Sequence, residues 1–445
     1  MSRLWRAMAA ALIAALMLPG AATAAEKPLP ILFVPGNGES AAVWMTTIWR
    51  FESNGYPSAL LDALELRYPL ASRVYDQPEP GHSTVGEATQ QLAAAVAALQ
   101  KRTHAPKVIL IAQGRGGNIV RNYLKNAGGA AHTAIAVLCG AFDHGIIVSD
   151  KLLPGSEFNG DSPFMRDLNS TPREVVPGVR FLTLRSDADD HFAQPGERTI
   201  APDETAPGVG YKGPELKGAT NVVIPHADGR EVAFGPTAFA AMYHFITGRE
   251  PGRRFPLPER AIVLDGKVTS YDGVAPTNIG VANAVVEVYK VSTKTGERIG
   301  DALLRKVTGQ DGVWGPLKLE PKAHYEFVVA VPGLPVTHIY RSGFLRSSRY
   351  VDLTPQLLAK DDRAAGAVVY ISRPRGYFGL GRDRILLDGK TPPEIAAGVP
   401  GISLAKADFP GEPQQTVMAV LNREPIAVRT WPMKDDQVTV AEFTW

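Results

Sequence analysis

Cysteine is nearly absent: Cys139 is the single one in 445 residues, which excludes an intramolecular disulfide framework. No metal-type Cys/His spacing occurs either, so neither a metal nor another cofactor is expected. Lys plus Arg (47) and Asp plus Glu (45) nearly cancel. With no basic field, nothing points to nucleic acid or to an anionic membrane surface. Beyond the first two dozen residues, no apolar run approaches the ~20 residues that a bilayer-spanning helix needs. Internal repeats and low-complexity tracts are also missing. What is present is an ordinary globular balance, 45% apolar and 21% charged. A chain of this length buries substantial cores and is expected to form two or three domains. Nothing in it sets an oligomeric state.

The N-terminus carries its own signal. Arg3 and Arg6 precede the apolar run Ala7–Leu18, followed by Pro19-Gly20 and Ala22-Thr23-Ala24. A short positive segment, a short apolar core and an A-x-A site read as a secretory signal peptide, residues 1–24. The mature protein is expected to be exported, to the periplasm or beyond.

From residue 28 to about 250, short apolar runs alternate with helical patterns. Strands are predicted at Pro30–Val34, Ser58–Asp62, Val108–Ala112, Ala134–Leu138, Gly178–Leu184 and Ala219–Ile224. Helices are predicted from Trp44 to a glycine stop at Gly55, over Val85–Lys101, and over Thr237–Thr247 closed by Gly248. This alternation implies an α/β fold, a mostly parallel sheet with helices on both faces. Chemistry in such sheets gathers at the carboxyl ends of the strands. The loops there include Pro35-Gly36-Asn37-Gly38, Ser186–His191 and Pro225–Glu231.

The stretch Lys107–Tyr123 organises the rest. An apolar strand meets Ala112-Gln113-Gly114-Arg115-Gly116 and then a helix-like run with Ile119, Val120 and Tyr123 on one face. Strand, sharp turn, helix is the setting of the nucleophile elbow of α/β-hydrolases, whose pattern is G-x-S-x-G. Gly114 stands where the serine would be. Together with Gly36-Asn37-Gly38, Trp49–Pro57, Gly155–Gly160, Ala193-Gln194-Pro195 and Arg230–Phe234, this stretch resembles bacterial α/β-hydrolases of the class 2 lipase type. The mature chain resembles the two-part architecture of the Archaeoglobus lipase, a hydrolase domain followed by a β-rich domain.

The resemblance implies a triad, position by position. In relatives the elbow reads G-N-S-R-G-G, which puts the nucleophile at Gly114. The acid lies in the loop Ser186–Pro195, at Asp190 with Asp187 as the runner-up. The base sits in a D-H-R-E pattern, which here reads Asp228-Gly229-Arg230-Glu231, so Gly229 occupies it. The histidine that often opens the oxyanion loop is Pro35. Glycine can neither attack a carbonyl nor shuttle a proton, so the covalent route is closed. The oxyanion donors remain by type, the N–H of Arg115 and that of Asn37 or Gly36. A fatty acid or ester is expected to bind with its polar head at the elbow, and Ile146–Thr171 to act as a lid.

Alternatives exist among neighbouring residues. His226, three residues before the vacant base, is a substitute base that with Asp190 would activate a water. His191 is a second such candidate, and Cys139 a displaced thiol. For each there is a plainer reading, a solvated loop histidine or a buried apolar filler. Ser40 reads as a helix cap, and Asp143-His144-Gly145 as a turn.

After the Pro/Gly/Arg-rich linker Gly248–Glu259 the pattern becomes all-β. Residues 261–355 resemble a transthyretin-like or carboxypeptidase-regulatory β-sandwich, and 360–445 add a further β-rich segment packing with it. Phe344, Tyr350, Tyr377, Phe378 and Trp445 form either a lipid-contact rim or ordinary core, and a further reading makes this β-rich half the working part of an adhesion or assembly protein.

Overall fold

Alternate residues of short apolar runs drive the first sheet. The structure, a computed structural model, describes residues 27–193 and 215–445. The expected signal peptide lies outside the described residues, as do Gln194 and Pro195. Among the described residues no helix is long and apolar enough to cross a membrane.

Six parallel strands, β1 (Ile31–Val34), β2 (Leu61–Ala63), β3 (Val108–Gln113), β4 (Thr133–Cys139), β5 (Arg180–Ser186) and β6 (Thr220–Ile224), lie in the order β2-β1-β3-β4-β5-β6. Side chains of period two go to opposite faces. Ile31, Phe33, Ile109, Ile111 and Val137 join one core, and Leu32, Val34, Leu110, Ala112 and Leu138 the other. Helices α1 (Met45–Ser53), α2 (Val85–Thr103) and α3 (Arg115–Asn126) and the helix Pro236–Thr247 cover the two faces. Helix α2 starts at a capping box, Thr84 with Glu87, and buries Ala88, Leu92, Val96 and Leu99 in the second core. The strand expected at Ser58–Asp62 begins later, at Leu61, because Leu60 N–H donates to Pro57 O at 2.9 Å and closes a turn first.

The C-terminal half is built on a seven-stranded sheet. Its order is Leu304–Val307, Val285–Val291, His324–Ala330, Val336–Arg341, Gln437–Glu442, Ala367–Ser372, Leu404–Phe409. The last strand of the chain pairs parallel with Val336–Arg341 on one side and with Ala367–Ser372 on the other. One sheet therefore runs through both 261–355 and 360–445. A three-stranded sheet, Ile385–Leu387, Thr416–Leu421 and Glu424–Arg429, packs on its second half around Tyr340, Phe378 and Phe443. Within residues 261–269 the only strand is Ile262–Leu264. Gly266 lies so close to the backbone of Val351 that a Cβ would stand 2.1 Å from its carbonyl oxygen, and the regular ladder ends there.

The two halves meet over a broad surface, and α1 is shared between them. Ile48 and Phe51 enter the core of the parallel sheet, whereas Met45 and Trp49 enter the β core. The Trp49 indole N–H donates to Ser347 O at 2.9 Å. The aromatic residues considered for a lipid rim do not form one. Phe344 and Phe378 are core residues, 1% exposed. The Tyr350 hydroxyl is bound to Asp62 at 2.7 Å, across the seam between the halves. Tyr377 and Trp445 face the N-terminal half, where they meet Arg230 and Arg50.

Candidate active site

Strand β3 delivers Gly114 at φ +51° and ψ −121° before α3 begins. Only glycine adopts such angles without strain. A Cβ added here would meet nothing closer than the Phe142 ring, at 3.7 Å. The turn therefore has the sharpness of a nucleophile elbow and room for a side chain. The two following glycines serve packing. A Cβ on Gly116 would come 2.7 Å from Pro35 O, and one on Gly117 would come 2.5 Å from the Ala141 Cβ.

Asp190 stands beyond β5, and its Oδ1 accepts from Phe192 N at 2.9 Å. Burial, with a smaller contribution from the Asp228 carboxylate, pushes its carboxyl up to about 6. Gly229 is brought against it from the loop after β6: a Cβ there would lie 3.1 Å from Asp190 Oδ1. The position read as the vacant base thus faces the position read as the acid. The loop holding Gly229 is fixed by its neighbour. Asp228 is fully buried; its Oδ1 accepts from Arg230 N (2.8 Å) and Glu231 N (2.9 Å), turning the chain into the short helix Glu231–Phe234.

The oxyanion candidates separate. The N–H of Gly36 is taken by Glu39 Oε2 at 3.2 Å. The Gln113 side chain fills the space above Gly36, its Oε1 1.8 Å from where a Cβ would be. Asn37 is oriented by its Oδ1, which accepts from Ala71 N at 2.8 Å. The Arg115 amide opens α3, where first-turn N–H groups lack intrahelical acceptors. Its side chain points elsewhere, into a fully buried ion pair with Glu157 at 2.8 Å, with further bonds to Ser83 O and Pro69 O. Because Glu157 also accepts from Asn118 through its backbone oxygen, this pair pins the segment expected to be a lid onto α3.

The other candidates offer no side chain to the elbow, although Asp143 and His144 line the same small cavity as Asp190. The His226 side chain is 86% exposed, and its Nδ1 lies 3.9 Å from Asp189 rather than beside Asp190. Asp187 accepts from the amides of Ala188 and His226 as a turn residue. His191 packs against Gly401, where a Cβ would meet its Nδ1 at 2.7 Å. Cys139 is fully buried, and burial pushes its thiol upward. The Asp143 carbonyl accepts from Arg121 at 2.8 Å, and Ser40 caps the turn holding Trp44. No metal-binding group of His, Cys, Asp or Glu occurs among the described residues.

A loop of the C-terminal half, residues 373–383, closes over these strand ends. Tyr377 N–H donates to Asp228 Oδ2 at 2.8 Å, and Arg382 reaches the same oxygen at 3.1 Å. Arg373 binds Glu231 at 2.6 Å. The Tyr377 ring lies under the Arg230 guanidinium, 4.8 Å to its centroid, and Arg230 pairs with Glu39 at 3.3 Å. Burial first, then the acids around it, pushes the Tyr377 hydroxyl up to about 12. Sequence reasoning missed Glu39 and this loop. The one available signal was the density of arginine and glycine in Arg373–Arg384, a stretch without strand alternation.

Beside Asp190, Phe142 and Phe192 lies a cavity of about 70 Å³, room for water rather than an acyl chain. The arrangement can hold a carboxyl, a Cβ at either glycine and an N-terminal helix amide; among the described residues no hydroxyl, thiol or imidazole stands at the elbow position, which is Gly114.

The first part of the β-rich half has a match among known families. Residues 260–358 match the lipase C-terminal domain. With the parallel sheet before it, the chain has a two-part, lipase-like architecture: an α/β-hydrolase fold followed by the lipase C-terminal domain and its β-rich continuation. Comparison with curated proteins gives no match. Among solved structures, Aspergillus fumigatus lipase B is similar at 18% identity and a TM-score of 0.35, over 52% of this chain and 55% of that one. The chain thus spans about half the length of that lipase. The mature form of the Bacillus licheniformis lipase BlEst2 is similar at 18% identity and a TM-score of 0.35, over 50% of this chain and 93% of that one. Its propeptide form is similar at 13% identity and a TM-score of 0.36, over 68% and 90%.

Proposed function

We propose that this chain is an exported lipase-like α/β-hydrolase protein that binds acyl or ester ligands without hydrolysing them. The observation that carries the reading is the approach of Gly229 to Asp190. Acid and base positions face one another beside an elbow of the right backbone form, yet both the nucleophile and the base are glycine. Loss of either group in such a triad costs roughly 10⁶ in kcat, and loss of both costs about the same because they act as a unit. Glu39 adds to this. Its carboxyl sits on the Gly36 amide, where a developing oxyanion would need a donor and not an acid.

The test is restoration. Gly114→Ser with Gly229→His should hydrolyse short p-nitrophenyl esters, and neither single variant should. Turnover by the unaltered protein above a heat-denatured control would overturn the reading, as would a double variant that folds but stays inert.

A further inference from the structure

A cleft of about 920 Å³ opens between the two halves, within the usual range for small-molecule sites. The residues that line it include neither Gly114 nor Asp190. Its charge is uneven: five arginines (Arg50, Arg373, Arg375, Arg382, Arg423) against two glutamates, Glu231 and Glu424. Both glutamates are committed. Glu231 binds Arg373 at 2.6 Å and Arg382 at 3.0 Å. Glu424 accepts from the amides of Thr444 (2.8 Å) and Trp445 (3.0 Å) and from the Ser342 hydroxyl.

Among the described residues neither Arg50 nor Arg375 forms an ion pair; Glu442, Glu424 and Glu39 act on Arg375 only from a distance, and Arg50 feels burial and the Arg375 charge. Arg50 is 2% exposed. Its Nε donates to Arg254 O at 3.0 Å, and its Nη1 to Phe234 O at 2.8 Å and Thr46 Oγ1 at 3.3 Å. Among the described residues nothing accepts from its Nη2. Arg375 is 6% exposed and donates only to carbonyls, those of Val43 (3.0 Å), Ala42 (2.6 Å) and Thr444 (3.3 Å). Burial, then the nearby Arg375 charge, brings Arg50 down to about 9. Two buried guanidinium groups side by side are costly unless an anion completes them.

The rest of the wall is apolar. Phe234, Ile224, Pro236 and Trp445 line it; the Trp445 ring lies 5.5 Å from the Arg50 Cζ. Phe255 also lines it and is 66% exposed, unusual for phenylalanine. Arg50 holds the carbonyl next to it.

We propose that this cleft binds an anionic amphiphile, its oxyanion headgroup on Arg50 and Arg375 and its apolar body against Phe234, Phe255 and Trp445. The inference gives the acyl ligand of the preceding reading a place away from the elbow and a required charge. An oxyanion on Arg50 would accept from the idle Nη2 in a charge-assisted bond, the strong class of hydrogen bond. Headgroup and tail are both needed, since phosphate alone lacks the wall and an alcohol lacks the charge.

The experiment is calorimetric titration of the full-length protein with decanoate, decyl phosphate, decanol and inorganic phosphate. Decanoate or decyl phosphate should bind about tenfold or more tighter than decanol and than inorganic phosphate, a charge-assisted hydrogen bond being worth that much. The tighter of the two names the headgroup. Arg50→Gln should remove about tenfold of that affinity. Because Arg50 also holds two carbonyls, Phe255→Asp at an exposed position gives an independent reading that leaves folding untouched, and it should weaken binding of the amphiphile by a similar factor. Equal affinity for decanol and decanoate overturns the proposal. So does binding that survives both substitutions, since the ligand then sits elsewhere; hydrolysis by the Gly114→Ser, Gly229→His double variant would be unaffected by either outcome.

Discussion

Gly229 and Asp190 face each other across the strand ends, a Cβ on the first standing 3.1 Å from Oδ1 of the second. That approach is tight by a few tenths of an ångström, so a side chain at 229 requires the Asp190 carboxyl to shift by as much. A histidine at 229 would lay its ring along the carboxyl. The Gly229→His protein should therefore show an imidazole raised above its ordinary range by that carboxylate. In return, the Asp190 carboxyl should fall from about 6 toward ordinary values. A pH titration by NMR reads both shifts, and an unperturbed imidazole would mean that the ring points to solvent.

Asp190 itself gives the protein a pH dependence. Its carboxyl is raised from 3.8 to about 6, so the folded state holds the proton more tightly than the unfolded one. The resulting stability is fully present in acid below pH ~4 and is lost as pH rises through about 6. Asp190→Asn keeps an acceptor for Phe192 N–H and removes the charge. It should flatten stability between pH 4 and 7 and raise it at neutral pH by ~1–2 kcal/mol, trimmed for the residue's partial exposure. Urea denaturation at a series of pH values measures it.

Gly114→Ser alone should cost ~1–3 kcal/mol, the strain of a side chain at φ > 0, without a packing penalty, because Phe142 leaves an ordinary contact distance. Denaturant midpoints check the cost. Ester hydrolysis should stay at background, since the serine would have no base.

The buried pair of Arg115 and Glu157 makes a sharper demand. Glu157→Gln strands a guanidinium that is 0% exposed, and breaking such a pair costs ~3–5 kcal/mol. Thermal unfolding should show a large loss, with the segment after β4 the first to exchange its amide hydrogens.

Trp49→Ala should uncouple the halves. The ring is 1% exposed and belongs to the β core although its helix belongs to the hydrolase. Truncating a buried tryptophan costs ~3–5 kcal/mol. Calorimetry should then separate the unfolding of the two halves; an unchanged single transition would argue that the remaining seam suffices.

The first sheet was largely readable from sequence. Apolar residues two apart in Val108–Ala112 and Ala134–Leu138 state which face each side chain takes, and Thr84 with Glu87 announces α2. The C-terminal half was less so. The strands Val336–Arg341, Leu404–Phe409 and Glu424–Arg429 leave little local trace, because each mixes charged or polar residues with apolar ones and finds its place only by pairing with other segments. Trp49 looked like one face of a helix on its own sheet, and nothing local reveals that a second core takes it.

In the site the same division holds. Sequence by itself determined that positions 114 and 229 carry no side chain, and that a strand turns into a helix at the first of them; both follow from residue identity and local periodicity. Only the tertiary structure decided that Gly229 meets Asp190, that Tyr377 closes on Asp228 from 149 residues away, and that Arg50 and Arg375 are buried side by side with carbonyls rather than carboxylates as hydrogen-bond partners. Those contacts depend on how two separately built cores dock, and side chains brought together by docking leave no period in the chain to read.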